Sequence, residues 1–245
     1  MATNRACPLT GCSPRPRLGT HACLFTGGEP LLRKKDIIRL CEKHRDMAFH
    51  AFTNGTLIDE DFCQEMLRVG NFFVSISVEG FEEANDGRRG RGHFQKALDA
   101  MDLMHSHRIP FGVSICYTSR NYKVVTSDEF LDLLISKGCV FAWYFHYMPV
   151  GLNADTSLLL TPEQRTYMKD RVREIRGVTG GKELYCIDFQ NDGKFAGGCV
   201  AGGRQAVGSG ASITRTLQSY SGEPAILLYK SAGGTHTMRP SRSAC

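Results

Sequence analysis

The chain is short of several things. It has one tryptophan in 245 residues and no apolar run long enough to span a bilayer, and Met1 to Leu9 contains no apolar segment. These last two features leave no membrane helix and no visible secretory signal, so a cytoplasmic protein with no membrane partner is expected. Strong charge of either sign is also missing. A net charge of +5 does not argue for nucleic acid, and none is expected as a partner. Acidic residues almost vanish from the last forty positions, which hold seven serines and only Glu223. In that tail only Ala225–Tyr229 has the composition of a strand.

Cysteine is abundant, with ten residues. In a chain expected to be cytosolic, thiols serve as core residues or metal ligands more often than as disulfides. Cys41 and Cys63 fall on amphipathic helix patterns and Cys139 opens a strand, so all three read as core. Cys7, Cys12, His21 and Cys23 could be written as a zinc set, but their spacing fits no common finger. An irregular leader with one core cysteine is the favoured reading of that stretch.

From Leu18 onward, short apolar runs alternate with helix patterns. Strands are expected at His21–Thr26, Met47–Thr53, Asn71–Val78, Phe111–Thr118 and Val140–Tyr147. Helices are expected at Leu32–Arg45, Asp59–Arg68, around Phe94–Met104, at Asp128–Lys137 and at Thr161–Arg176, with a polar loop from Glu79 to Gly92. This is the βαβ pattern of a parallel sheet. Five such strands are too few to close an eight-stranded barrel. After Gly177 the repeat stops, and Lys182–Phe195 reads as a hairpin turning at 190–193. The domain reading is an irregular leader (1–17), a partial barrel (18–178), an extension (179–205) and an irregular tail (206–245).

Two features point to a site. The turn Thr26-Gly27-Gly28-Glu29-Pro30 lies between a strand and a helix. Its glycines permit close backbone approach, Glu29 supplies a carboxylate, and Pro30 suits a first helical turn. The strands are also polar on one side: Ser75, Ser77 and Glu79 in one, Ser114, Cys116 and Thr118 in the next, Tyr144 and His146 in the last. Parallel strands covered on both faces are apolar throughout, so a cavity is expected on the polar side, with Asn54, Glu79, Ser119 and His146 near its carboxyl-end rim.

The stretch Leu18–Arg204 resembles the radical S-adenosylmethionine (radical SAM) enzymes with a SPASM or twitch extension. Phe25-Thr26-Gly27-Gly28-Glu29-Pro30-Leu31 resembles the family's GGEP loop, Thr53-Asn54-Gly55 its TNG, and Ser77-Val78-Glu79-Gly80 its S-x-D/E-G. Asn85-Asp86, Arg89-Gly90, Gly92 and Phe94 resemble the loop that follows. Pro149-Val150-Gly151 resembles the PxG, and Gly198-Cys199 the entry to the extension. The resemblance implies an α/β fold, a partial (β/α)6 TIM-like barrel lacking its first βα unit, with a fragment of a C-terminal cluster-binding extension. It implies S-adenosylmethionine and a 4Fe–4S cluster as cofactors, a peptide or small-molecule substrate, and a reductant such as flavodoxin or ferredoxin. It further implies that Gly27, Gly28, Glu29 and Pro30 receive the methionine amino group, that Ser77 and Glu79 face the ribose, and that Arg89 forks the methionine carboxylate. Asn54 and Ser114 join these as cofactor contacts, and Cys199 is an auxiliary-cluster ligand. Arg88 and Arg91 read as solvated.

The family's CxxxCxxC is absent from the sequence. Three thiolates hold such a cluster with one iron left open, so the chain as written is expected to be inactive in radical generation. Two other readings compete: a non-catalytic barrel fragment that binds a nucleotide or a partner through the bare edge around Leu24 and Phe25, and a metal-independent α/β enzyme using Glu29, Glu79 or His146. Periodicity breaks off abruptly near Arg17 and Gln205. The expectation is therefore that the middle of a radical SAM protein is flanked by sequence from another frame or an erroneous splice. Translating the neighbouring nucleotide sequence in the other frames should reveal an upstream CxxxCxxC; finding none in any frame would overturn this.

Overall fold

The computed structural model describes residues 20–149, 154–177, 181–192, 206–208 and 225–230. Six parallel strands form the frame: β1 (Thr20–Thr26), β2 (Ala48–Thr53), β3 (Phe72–Ser77), β4 (Phe111–Tyr117), β5 (Cys139–His146) and β6 (Tyr185–Asp188). Six helices link them: α1 (Lys34–Lys43), α2 (Glu60–Val69), α3 (Glu82–Arg89), α4 (His93–Ser106), α5 (Asp128–Ser136) and α6 (Pro162–Ile175). A short helical turn, α7 (Phe189–Asp192), follows β6. Two more strands, β7 (Ala206–Gly208) and β8 (Ala225–Lys230), complete a sheet of order β6-β5-β4-β3-β2-β1-β8-β7.

Helix ends lie where the side chains can satisfy them. Asp59 caps α2 through the Phe62 amide at 2.9 Å, and Gly70 closes that helix at φ 72°. Thr161 and Gln164 form a reciprocal capping box on α6. Cys23, Phe25, Phe49, Ala51, Val74, Ile76, Val113, Ile115 and Tyr144 project from the strands into one core under the helices, each 2% exposed or less. Cys41, Cys63 and Cys139 are buried there as expected. Burial pushes their thiols up to about 12, 11 and 12 respectively, which suits inert core residues.

The sheet is curled. Phe52 on β2 meets Trp143 on β5 with ring centroids 5.4 Å apart, and Phe145 at 5.7 Å, although β3 and β4 lie between. In a flat sheet strands three apart are separated by about 14 Å. The concave face is therefore the inside of a half-barrel, and the partial-barrel expectation holds, with six parallel strands where five were expected.

Three sequence expectations are corrected. Residues 82–89 form a helix, not part of a polar loop. Tyr185–Asp188 pairs parallel with β5, in register from Phe141↔Tyr185 to Tyr144↔Asp188, and continues into α7. It is thus a sixth barrel strand and not the first arm of a hairpin, whose other arm at 194–195 lies outside the described residues. The edge of β1 at Leu24 and Phe25 is not bare, because β8 pairs antiparallel along it. That strand is the tail segment singled out as strand-like; the rest of the leader and tail lies outside the described residues.

Gly112 on the concave face of β4 shows how tightly the floor is packed. A Cβ there would lie 2.3–2.5 Å from the Phe141 ring. Gly112→Ala should lower stability by about 1–3 kcal/mol in thermal or urea unfolding. Adding Phe141→Leu should recover part of that loss, and strictly additive costs would show that the ring is not the obstacle.

Candidate functional site at the carboxyl ends of the strands

The turn after β1 and the turn after β2 are fastened by one side chain. Glu29 Oε1 accepts from the Leu31 amide at 3.0 Å and from the Thr53 hydroxyl at 2.7 Å, and Oε2 accepts from the Asn54 amide at 2.8 Å. The Leu31 bond also caps a short 3-10 turn at Pro30–Arg33, with Pro30 in its first position. The carboxylate is thus used within the protein. What the loop presents outward is backbone: Gly27 at φ 118°, a conformation L side chains rarely adopt, and Gly28, both exposed. Asn54 turns its own amide oxygen back to the Thr56 amide and hydroxyl.

The end of β3 is fastened as firmly. The Glu79 amide donates to Asn85 Oδ1 at 3.1 Å, and the Glu79 carbonyl accepts from Asn121 Nδ2 at 2.9 Å. The Glu79 side chain is 1% exposed and carries two guanidiniums: Arg88 Nη1 donates to Oε2 at 2.9 Å, while Arg89 Nε and Nη2 donate to Oε1 at 3.1 and 2.5 Å. Two cations on one carboxylate satisfy the demand that a buried charge be paired. Arg88 is therefore an ion-pair partner and not a solvated loop residue. Burial raises the Cys116 thiol above its usual value, against the pull of the Arg88 charge. Asp86, beside Asn85, accepts from the amides of Gly92 and Phe94 and so holds the start of α4.

Ser77 and Ser114 face each other across β3 and β4, with their hydroxyls 2.9 Å apart. One strand over, register places Trp143 beside Ser114 and Phe145 beside Cys116. The concave face of β5 is therefore aromatic. Tyr144 and His146, expected on that face, point the other way. Tyr144 is fully buried and donates to the Val125 carbonyl at 2.8 Å, while His146 packs edge-on against Tyr117 beside the helices. Of Cys116, Tyr144 and His146, all expected on the polar side, only Cys116 lies on the concave wall. A feature absent from the sequence reading is His50, whose Nε2 is 3.0 Å from Ser75 Oγ among Phe52, Phe141 and Trp143. Burial pushes its imidazole down to about 4, so it is neutral at pH 7. The alternation of Phe49, Ala51 and Thr53 with His50 and Phe52 was the available signal.

So Gly27, Gly28, Asn54, Ser77, Glu79, Arg89 and Ser114 collect at one end of the sheet. A model of the radical SAM superfamily matches residues 15–134. Residues 15–134 are a radical SAM domain. Among curated relatives, the chain is 28% identical over 185 residues to an Fe-coproporphyrin III synthase of Methanosarcina barkeri, covering 72% of this chain and 46% of that one. It is 30% identical over 139 residues to a serine-type anaerobic sulfatase-maturating enzyme of Klebsiella aerogenes, covering 52% and 33%. The chain thus spans less than half the length of these two relatives. Among solved structures, anSMEcpe with bound AdoMet superposes with a TM-score of 0.58 at 21% identity, covering 74% of this chain and 54% of that one. Streptococcus suis SuiB bound to its precursor peptide SuiA does so with a TM-score of 0.58 at 15% identity, covering 80% and 46%. These likenesses confirm the half-barrel fold.

The family implies S-adenosylmethionine and a 4Fe–4S cluster. The donors at the mouth suit the first: exposed glycine backbone for an ammonium, a guanidinium for a carboxylate, and hydroxyls for a sugar. They do not suit the second. Among the described residues no group of three metal-ligating side chains comes together, and Cys23, Cys41, Cys63, Cys139 and Cys186 are buried in the core. Cys7, Cys12 and Cys199 lie outside the described residues, as does most of the PxG. No described helix is long and apolar enough to cross a membrane.

His50 yields a pH prediction. Between pH 6.5 and about 4 the unfolded chain binds a proton that the folded imidazole refuses, so stability should fall as pH falls through that window. The whole effect is at most on the order of 3 kcal/mol. Melting temperatures of wild type and His50→Gln should therefore converge from pH 7 to pH 4. Parallel profiles would mean that His50 titrates normally.

Proposed function

We propose that these residues form the S-adenosylmethionine side of a radical SAM maturase or modifying enzyme acting on a peptide or small molecule. The observation that carries the reading is the fastening of three successive strand-end turns by Glu29 and Glu79, which leaves glycine backbone, serine hydroxyls and a guanidinium facing one mouth. In this reading the backbone of Gly27 and Gly28 receives the methionine ammonium. Pro30 and Glu29 fix that backbone. Arg89, which keeps Nη1 beyond its two bonds to Glu79, takes the methionine carboxylate, and Ser77, Ser114 and Asn54 serve the ribose side. Glu79 reaches a ribose hydroxyl only by sharing an oxygen that a guanidinium now occupies; its first task is to aim Arg89. The cofactor when bound, with an electron from a donor of the flavodoxin or ferredoxin kind, supplies sulfonium cleavage and hydrogen abstraction from the substrate.

Metal-independent acid–base catalysis is less well supported. Glu29 has both oxygens engaged, Glu79 is ion-paired, and His146 points toward the helices, so the three do not meet around one reacting atom.

Titration calorimetry of the full chain with S-adenosylmethionine should show one site, weakened about tenfold or more by Arg89→Gln. Absence of binding to wild type would overturn the reading. Anaerobic reconstitution with iron and sulfide should leave these 245 residues without a radical cluster. About four irons per chain together with reductive release of 5′-deoxyadenosine would show instead that they hold one.

A further inference from the structure

The concave face of the half-barrel is unlike its convex face. Convex-side residues such as Val74, Ile76, Val113, Ile115 and Tyr144 are fully buried. Phe52, Phe141, Trp143 and Phe145 on the concave side are only half-buried, although Phe52 touches Trp143 and Phe145 across the barrel and Phe141 touches His50. Trp143 and Phe189 stack at 22° with centroids 6.5 Å apart, while Phe52 stands edge-on to Trp143 at 71°. This is a wall of partly uncovered rings, the kind of surface that binds by stacking. The groups interleaved with it are the small Gly112, the Ser75 and Ser114 hydroxyls and the neutral His50.

The upper edge of that wall is charged. Arg88 pairs with Glu79, two residues beyond the end of β3, and its side chain remains 45% exposed. One positive charge is left over from the trio of Glu79, Arg88 and Arg89, whose formal charges are −1, +1 and +1. Of the other carboxylates nearby, Glu29 is consumed by donors of its own turns and Asp86 by the Gly92 and Phe94 amides. Arg88 has fewer hydrogen bonds to protein than its five N–H groups allow. Arg89 is assigned to the cofactor under the proposed function, and Arg88 is not.

We propose that the concave face receives a flat, conjugated carboxylic acid, whose rings lie against Phe52, Trp143 and Phe145 and one of whose carboxylates is held by Arg88. The inference rests on the proposed function in taking the mouth for the cofactor and the aromatic wall for the substrate. It departs from a peptide substrate, which would ask for backbone partners along the wall. The described wall offers rings and short hydroxyls.

Trp143 is the chain's only tryptophan, so its fluorescence reports on this wall alone. The probes are coproporphyrin, its uncharged tetra-amide, and a serine- or cysteine-containing peptide, each titrated into the full chain. Coproporphyrin should quench Trp143 saturably at one equivalent. Arg88→Gln should weaken it about tenfold or more, Arg88→Lys less, and the tetra-amide should bind weakly and equally to wild type and Arg88→Gln. Equal binding of acid and amide, binding indifferent to Arg88, or saturable quenching by the peptide but not the porphyrin would each overturn the proposal. If Arg88→Gln does not fold, Arg88→Lys against the acid and amide pair decides it by the same comparison. S-adenosylmethionine calorimetry on the same variants separates the two readings. Lost cofactor binding in wild type with porphyrin binding intact defeats the proposed function alone. Lost cofactor binding confined to Arg88→Gln places Arg88 in the cofactor site and defeats this inference alone.

Discussion

A carboxylate that is 1% exposed stays charged only if cations sit against it, and Glu79 fixes the position of two. The ion pair determines much of what surrounds it. Two adjacent arginines must reach one carboxylate from a single short element, so residues 82–89 wind into α3, and Asn85 pins the Glu79 amide from within that helix. The next residue, Asp86, closes the start of α4. From the other side Asn121 holds the Glu79 carbonyl and also accepts from the Thr118 amide at 2.6 Å. The ends of β3 and β4 and two helices therefore depend on one buried charge. Removing a single partner of such a group costs about 3–5 kcal/mol in other proteins.

This also explains why α3 was hidden in the sequence. The run Gly87-Arg88-Arg89-Gly90-Arg91-Gly92 has the composition of a solvated loop, because glycine is a weak helix former and three arginines repel one another. Local propensity is overruled by a tertiary interaction with Glu79, eight residues before the first glycine. The helix ends where propensity reasserts itself, at Gly90 with φ 99°. By contrast, α2, α5 and α6 were legible because their capping residues, Asp59, Ser127 and Thr161, are adjacent in sequence to the helices they start.

The strands show the same division. In β3 and β4, polar and apolar residues alternate, so the two faces could be told apart from residue type. In β5 both faces are apolar or aromatic, and period two alone does not say which face is concave. Tyr144 and His146 carry polar atoms and so resembled the polar series. Register decides otherwise: pairing Ser114 with Trp143 turns the indole inward, and the Tyr144 hydroxyl finds a buried carbonyl on the far side. The sixth strand was missed for a related reason. Tyr185–Asp188 is only four residues long, and Gln190-Asn191-Asp192-Gly193 carries turn residues; what makes it parallel is its pairing with β5, a relation no local pattern records.

The candidate site was legible where the motif residues act through the backbone, and less so where they act through side chains. Gly27 is readable because only glycine readily takes φ 118°, and Gly28 because a residue without a side chain leaves the exposed backbone open to a ligand. Glu29 reads equally well as a motif letter, yet its carboxylate serves the protein: it ties the turn after β1 to the turn after β2. That division has a consequence for the two halves of the family's cofactor. The bonds that shape the mouth run from Glu29 to Leu31, Thr53 and Asn54, and from Glu79 to Asn85, Arg88, Arg89 and Asn121. All of these partners lie within residues 29–121, and none is a cysteine. The mouth proposed for S-adenosylmethionine is organised by its own hydrogen bonds, so its geometry does not depend on thiolate ligands being in place.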